Sequence, residues 1–545
     1  MRKRLLIAVA ATLMVVALQL PVFIFPGAAL AQPLDWERVN QDGFGFAPPG
    51  EMGSALSMAE YDGHLYAGTM NWENANGCAV WRYDGGTDWT QVASGGFGDT
   101  GNQGIFCLEV YAGMLFAGTY NETTGAEVWA YDGVDWTQYV GQGAAGDPTG
   151  PGFGDGLACE AAGDMAVLGG MLYVGTGWGT GSVAKIWAFD GSTWTQANDD
   201  GFGDPTNRGS RALAIYDGQL YAGTNGGSGG GQLWRYDGPD PADWTQLTGD
   251  AFGTGDYEVR VIESWNGQLY AGTAGTDYPT VWAYNGTVWD DVTPTYPDDK
   301  NDSVRSMAVY KDALYVGVGN YSGAIPLENV GTQVWRYDGG APEQVNLNGF
   351  DGDPKNMGCH SLCEFQGDLY AGVMNVDWGP SPEVYGGAQV WRTNVPSTWY
   401  LAEGSTAGGM QTYILVQNPN PDPVTVDLTL MTDQGEKKPT ELQNQTIPKN
   451  SRRTFPLHAY ITTYDVSTKV EATGGEVICE RAMYSGDWSW GHDSIGVTMP
   501  APVWYLAEGS TAGGMQTYIL VQNPNPDPVT VDLTLMTDQG EKKPA

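Results

Sequence analysis

The stretch Ser-Arg-Ala-Leu-Ala-Ile-Tyr-Asp-Gly-Gln-Leu-Tyr-Ala-Gly-Thr, residues 210–224, decides how most of this chain is read. Residues 211–216 are rich in apolar side chains, Asp217-Gly218 is a two-residue hairpin signal, and residues 219–224 form a second apolar run. An Asp-Gly pair tolerates the positive φ angles of a tight turn whose twist suits antiparallel strands. Further on, residues 232–236 (Gln-Leu-Trp-Arg-Tyr) predict a third strand, Asp237-Gly238 a second turn, and residues 244–247 (Trp-Thr-Gln-Leu) a fourth strand.

Variants of Leu-Tyr-Ala-Gly-Thr occur seven times, beginning at Leu65, Leu115, Leu172, Leu220, Leu269, Leu314 and Leu369. A period of about 50 residues marks a unit that cannot bury its own apolar face and must stack on its neighbours. Four strands per unit and no helical periodicity beyond the leader predict an all-β fold. The expectation is a seven-bladed β-propeller with four-stranded antiparallel blades over residues 33–395. A β-sandwich or β-helix does not account for four short strands in so long a repeat.

The outermost strands are expected at Trp89, Trp136, Trp194, Trp244, Trp289 and, in degenerate form, residues 343–346. The seventh unit ends at Val390-Trp391-Arg392 without one, while Trp36-Glu37-Arg38-Val39 lies unclaimed before the first unit. Residues 36–39 are therefore expected to complete the seventh blade and remove an open sheet edge. These repeats resemble bacterial Kelch-like and related seven-bladed propellers. The resemblance is one of architecture, since neither a sialidase-type Asp-box nor a Gly-His…Trp-Asp pairing is present.

Residues 399–439 and 504–544 are identical. Alternating runs with Asn-Pro-Asn-Pro turns predict an Ig-like β-sandwich over 399–502 and a truncated second copy over 504–545. Half a sandwich would leave an apolar face unpaired. The motifs Trp-Tyr-Leu-Ala-Glu-Gly-Ser-Thr (399–406) and Gly-His-Asp-Ser-Ile-Gly-Val (491–497) resemble a domain of unknown function that recurs in tandem in secreted proteins of high-GC Gram-positive bacteria. That likeness implies that His492, Asp493 and Ser494 belong to a structural turn. A catalytic triad would need them to converge from separate elements.

Arg2, Lys3 and Arg4, an apolar run from 5 to 25 and Ala29-Leu30-Ala31 form a three-part secretory signal over residues 1–31, with cleavage expected before Gln32. A run of this length could also serve as an uncleaved anchor. Cleavage makes the chain secreted or cell-surface, without a membrane span. Formal charge is −39, and loss of three leader cations takes it to about −42. Such a surface repels nucleic acid and anionic lipid. The six cysteines lack metal-type spacing and leave room for one or two disulfides among the first five, with Cys479 solitary.

In a propeller, the segments after each Ala-Gly-Thr share one face with the loops between units. Aromatics recur there: Trp72, Tyr120, Trp178, Tyr278, Tyr321 and Trp378. Flat rings beside amides and carboxylates suit sugars; the alternative is that they only pack the loops. Nine residues before each motif leucine stand Leu56, Phe106, Gly163, Arg211, Arg260, Arg305 and His360. With only 14 arginines in the chain, three at equivalent positions in consecutive units form a clustered cation set. Convergent guanidinium groups clamp carboxylate or sulfate. The competing expectation is ion pairing between units, with Asp204, Asp256, Asp302 or Asp353.

The Gly-Phe-Gly-Asp loops raise a Ca²⁺ reading through Asp99, Asp155 and Asp204, although they lack dedicated calcium-loop spacing. An Asp in such a place can equally hold backbone amides. No other cofactor is implied. The function expected is a secreted or surface binding protein that recognises an extracellular glycan or other polymer with anionic groups, or a protein. The alternatives are a polysaccharide lyase or glycoside hydrolase on the same face, drawing on His360, Glu258, Asp164 or Glu109, and a structural spacer or adhesion module. Binding is favoured because the units are nearly uniform and no catalytic residue stands out.

Overall fold

The computed structural model describes residues 34–45, 53–71, 76–141, 150–226, 230–238, 240–275, 278–296, 301–320, 330–377, 384–393, 397–498, 500–507, 509–514, 517–525, 528–537 and 540–543. The expected leader, Trp72, Tyr321 and Trp378 lie outside these residues. No helix among the described residues is long and apolar enough to cross a membrane.

The unit read first from sequence folds as Asn207–Tyr216, Gln219–Gly226, Leu233–Tyr236 and Trp244–Thr248, each antiparallel to the next. Its first turn has φ of 49° at Asp217 and 73° at Gly218, as the Asp-Gly signal demands. Innermost strands lie side by side in chain order: Ser54–Tyr61, Asn102–Tyr111, Ala161–Leu168, Asn207–Tyr216, Glu258–Trp265, Ser303–Tyr310 and Asn356–Phe365. The last of them packs against the first, so 29 strands close into a ring. Strand Trp36–Arg38 pairs with Gln389–Thr393, Glu37 opposite Arg392.

The motif residues are the cement between units. A Cβ on Gly223 would stand 2.7 Å from the carbonyl of Val259 in the next unit, so only glycine admits that strand. Tyr61 and Tyr216 donate their hydroxyls to the carbonyls of Gly113 and Gly267 in the following hairpins. Trp136 and Trp244 donate indole N–H to Val92 and Ala197 of the preceding unit. The phenylalanine of each Gly-Phe-Gly loop lies flat on a tryptophan, as Phe97 on Trp129 at 4.8 Å and Phe202 on Trp234 at 5.0 Å. Each such pair contributes about 1 kcal/mol beyond its buried area.

All six cysteines are free, which corrects the allowance for disulfides. The physical reason is dispersal: Cys107 and Cys359 bury their thiols in separate cores, against Ala162 and Ser306 of adjacent strands.

Two further antiparallel sheets enclose one apolar core built from Leu401, Ile414, Val426, Leu428, Phe455 and Val470. The segment expected as a turn is instead a strand, Gly491–Ile495, paired with Ile478–Tyr484. It serves Arg481, a buried cation that donates to Glu403, to Ser494 Oγ at 2.9 Å and to the His492 carbonyl at 3.1 Å. His492 and Ser494 thus accept from the Nη groups of one guanidinium. In 500–543 the only described strands are Leu535–Thr537 and Gly540–Lys542, paired with each other.

Asp422, beside the Asn-Pro-Asn-Pro turn, joins this domain to the ring. It accepts the Gly86 N–H at 2.8 Å and lies 3.8 Å from Arg392, which also pairs with Glu37.

Candidate binding site at the mouth of the ring

Every innermost strand breaks its ladder at one equivalent place. The register skips Leu56, Phe106, Gly163, Arg211, Arg260, Arg305 and His360 in turn. A β-bulge leaves one residue unpaired and re-aims its side chain. The positional series found in the sequence is therefore a ring of bulges, near the strand ends where the long loops begin.

On one side the series is apolar. Phe106 stacks on Tyr120 with centroids 5.0 Å apart and planes 4° apart, and Leu56 and Trp178 pack with them. On the other side it is cationic. Arg211 joins the two: its Cζ lies 4.7 Å from the Phe106 ring centre and 4.5 Å from that of Trp178. Gly163 makes this possible, since a Cβ there would come within 2.8 Å of Arg211 Cγ.

Glu258 is the acid at the centre. It is fully buried, and its Oε2 accepts from Arg260 Nη1 at 2.9 Å. Its Oε1 has no hydrogen bond and faces Arg211 Nη1 at 3.9 Å. Arg305 Nε donates to Ser303 Oγ at 2.6 Å, and Ser303 donates to Asp302 at 2.8 Å. His360 Nδ1 is 2.7 Å from Ser54 Oγ on the first innermost strand.

Burial, then the charge of Arg260, lowers the Arg211 guanidinium to about 9, so it stays cationic at neutral pH. Burial alone would raise the Glu258 carboxyl, but Arg260, Arg211 and Arg305 outweigh it and hold the acid below its ordinary range. Burial and the same three arginines push His360 well below its usual value, leaving a neutral imidazole. The mouth thus carries three cations and one anion in a chain of net charge −39. Farther along the same strands, burial raises Glu109, Asp164 and Glu263 each to about 7.

The structure brings Arg211, Arg260, Arg305 and His360 together with Trp178. Tyr120 corrects the expectation of a displayed loop aromatic: it is buried beneath Phe106 and donates to Glu122 at 2.8 Å. Tyr278 is exposed and makes none of the cluster's contacts described above. Glu258, outside the four aspartates expected, pairs with Arg260 and lies against Arg211, while Arg305 reaches Asp302 through Ser303; its place two residues before Arg260 was the available signal. Phe106 was visible in the positional series, but a lone apolar residue among cations gave no reason to choose it.

The Ca²⁺ candidates are otherwise engaged. Asp99 accepts from the Gly101 amide and from Asn121 and Thr124. Asp204 accepts twice from Thr206 and once from Gln232, and Asp155 pairs with Lys185 at 2.6 Å. No group of three or more metal-ligating side chains lies together among the described residues.

No curated protein matches the chain. Among solved structures it is similar to the extracellular domain of a one-component system from B. thetaiotaomicron, at 14% identity and TM-score 0.43, covering 70% of this chain and 42% of that one. It is also similar to PorZ, a surface component of the type-IX secretion system of Porphyromonas gingivalis, at 15% identity and TM-score 0.41, covering 82% and 59%. A third is the Aleuria aurantia lectin solved with Fucalpha1-6GlcNAc, at 13% identity and TM-score 0.33, covering 55% and 98%. The chain spans less than two thirds of the first two, and likenesses this loose transfer no ligand. Residues 395–480 match a family described as "Family of unknown function (DUF5719)".

Proposed function

We propose that this chain is a secreted or cell-surface binding protein whose ring mouth takes an anionic extracellular glycan. The observation that carries the reading is Arg211. Its guanidinium is mostly buried between two rings, its nearest carboxylate is 3.9 Å away, and it donates no hydrogen bond to a described residue. Its side chain is 15% exposed and none of its nitrogens is a buried atom without a partner, so N–H groups held in place by two cation–π contacts still open to solvent. The in-plane N–H groups therefore suit an oxyanion held bidentately, through the planar carboxylate of an acidic sugar or through two oxygens of a sulfate ester. Phe106, stacked on Tyr120, and Trp178 hold that guanidinium in position.

The architecture that fits is a seven-bladed, Kelch-like propeller over 33–395, closed by residues 36–39, followed by an Ig-like domain over 399–502 and a second partial copy from 504. Removing residues 33–40 is expected to lower the melting temperature sharply; an unchanged melting temperature contradicts closure by that strand. A second reading, elimination or hydrolysis of an acidic polysaccharide, draws support from the neutral His360 beside three guanidiniums. A glycan array carrying carboxylated, sulfated and neutral chains, read for retention and for released ends, tests both. Retention of acidic glycans, lost in R211Q/R260Q/R305Q, supports binding; release of unsaturated or reducing ends supports catalysis. No retention of any acidic glycan contradicts the proposal.

A further inference from the structure

A second surface, on the C-terminal two-sheet domain, has chemistry opposite to that of the ring mouth. The turn between Ile478–Tyr484 and Gly491–Ile495 reads Ser485-Gly486-Asp487-Trp488-Ser489-Trp490. Trp488 is 62% exposed and Trp490 48% exposed. Trp488 also adopts φ of 59°, a left-handed conformation that bulky side chains avoid. Exposing an indole and straining its backbone both cost stability, so folding does not explain this residue.

The turn is nevertheless built to hold its shape. The Ser485 amide donates to the Trp490 carbonyl at 3.1 Å, and the Trp488 amide to the Ser485 carbonyl at 2.9 Å. Asp487 Oδ1 gathers the hydroxyls of Ser485 and Ser489 at 2.5 and 2.7 Å. Trp488 rests on Tyr484 with centroids 4.8 Å apart. A neighbouring turn completes the platform: a Cβ on Gly486 would lie 2.6 Å from the Gly409 carbonyl, and one on Gly408 would lie 3.1 Å from the ring of Tyr464, itself 69% exposed. Three exposed aromatic side chains thus flank one pair of interlocked turns.

We infer that this Trp488–Trp490 platform is a separate binding site for a neutral polysaccharide, with pyranose rings stacked on the indoles. Rigid, exposed aromatic faces with hydroxyl and carboxylate partners nearby match the apolar face and hydroxyl rim of a sugar. Charge selects the kind of sugar. The turn's own ionisable group is Asp487, held anionic by its two serines, and no cation stands in the turn to receive an acidic chain. The anionic glycans suited to the arginine mouth are repelled here.

The test is affinity electrophoresis of the whole chain in gels containing hydroxyethyl cellulose, glucomannan, soluble starch or dextran, with sedimentation velocity alongside. The parent is expected to be retarded in at least one gel. W488A/W490A should bind at least tenfold more weakly at an unchanged melting temperature, while R211Q/R260Q/R305Q keeps parental retardation. The inference is overturned if the parent runs unretarded in all four gels, or if W488A/W490A is retarded like the parent. It is also overturned if that variant instead abolishes a concentration-dependent dimer, which would make the platform a contact between copies of this chain.

Discussion

The two sides of the ring mouth occupy one structural position and do different work. On the side of Leu56, Phe106 and Gly163 the bulge presents apolar surface or nothing at all; on the side of Arg211, Arg260, Arg305 and His360 it presents cations and a neutral imidazole. A repeat supplies identical geometry at each station, and one substitution per unit then turns a symmetric scaffold into an asymmetric site. Arg211 belongs to both sides, stacked on the aromatics and facing Glu258.

Removing the acid that organises the cationic side should have the largest effect on folding. E258Q strips the charge from a fully buried carboxylate that serves two arginines, and loss of one partner of a buried pair costs about 3 kcal/mol or more. Chemical denaturation should show that loss, and a variant as stable as the parent would mean that the arginines are solvated without it.

Proton linkage separates the cationic mouth from the acidic strands beyond it. Glu109, Asp164, Glu263 and, at the joint with the C-terminal domain, Asp368 are each raised to about 7 by burial. An acid raised in the folded state keeps its proton longer there than in the unfolded chain. Its contribution is full below an unfolded pKa of about 4 and is lost as pH rises toward 7. His360, depressed in the folded state, acts oppositely and loses its contribution as pH falls below about 6.5. Four acids outnumber one imidazole, so the melting temperature should fall between pH 5 and pH 8. A rise over that range would contradict the buried positions of these acids.

A smaller effect sharpens the role of the apolar side. F106A removes one of the two rings that hold Arg211 and should weaken acidic-glycan binding about tenfold, the equivalent of about 1.4 kcal/mol, with little change in a neutral-polysaccharide gel. Unchanged acidic-glycan affinity would make Phe106 a packing residue alone.

Much of the scaffold was legible because its signals are local. Asp217-Gly218 announced a hairpin, the seven motif copies announced a stacked repeat, and counting from the motif leucine found the bulge positions. What stayed hidden depends on direction and partner choice. Tyr120 looked like a loop aromatic, yet it lies within the strand Met114–Asn121 and turns under Phe106. Glu258 was one carboxylate among many until the fold set it between Arg260 and Arg211. Gly491–Ile495 was expected as a turn only from the likeness of its motif. Pairing with the strand that carries buried Arg481 makes it a strand instead.

The most direct measurement is a calorimetric titration of the acidic glycan best retained on the array into the parent protein and into R211Q. The account predicts saturable binding to the parent and an affinity at least tenfold lower for R211Q, with both proteins folded at the temperature of the titration. Equal affinity for the two would contradict it, because the guanidinium held between Phe106 and Trp178 would then have no part in the site.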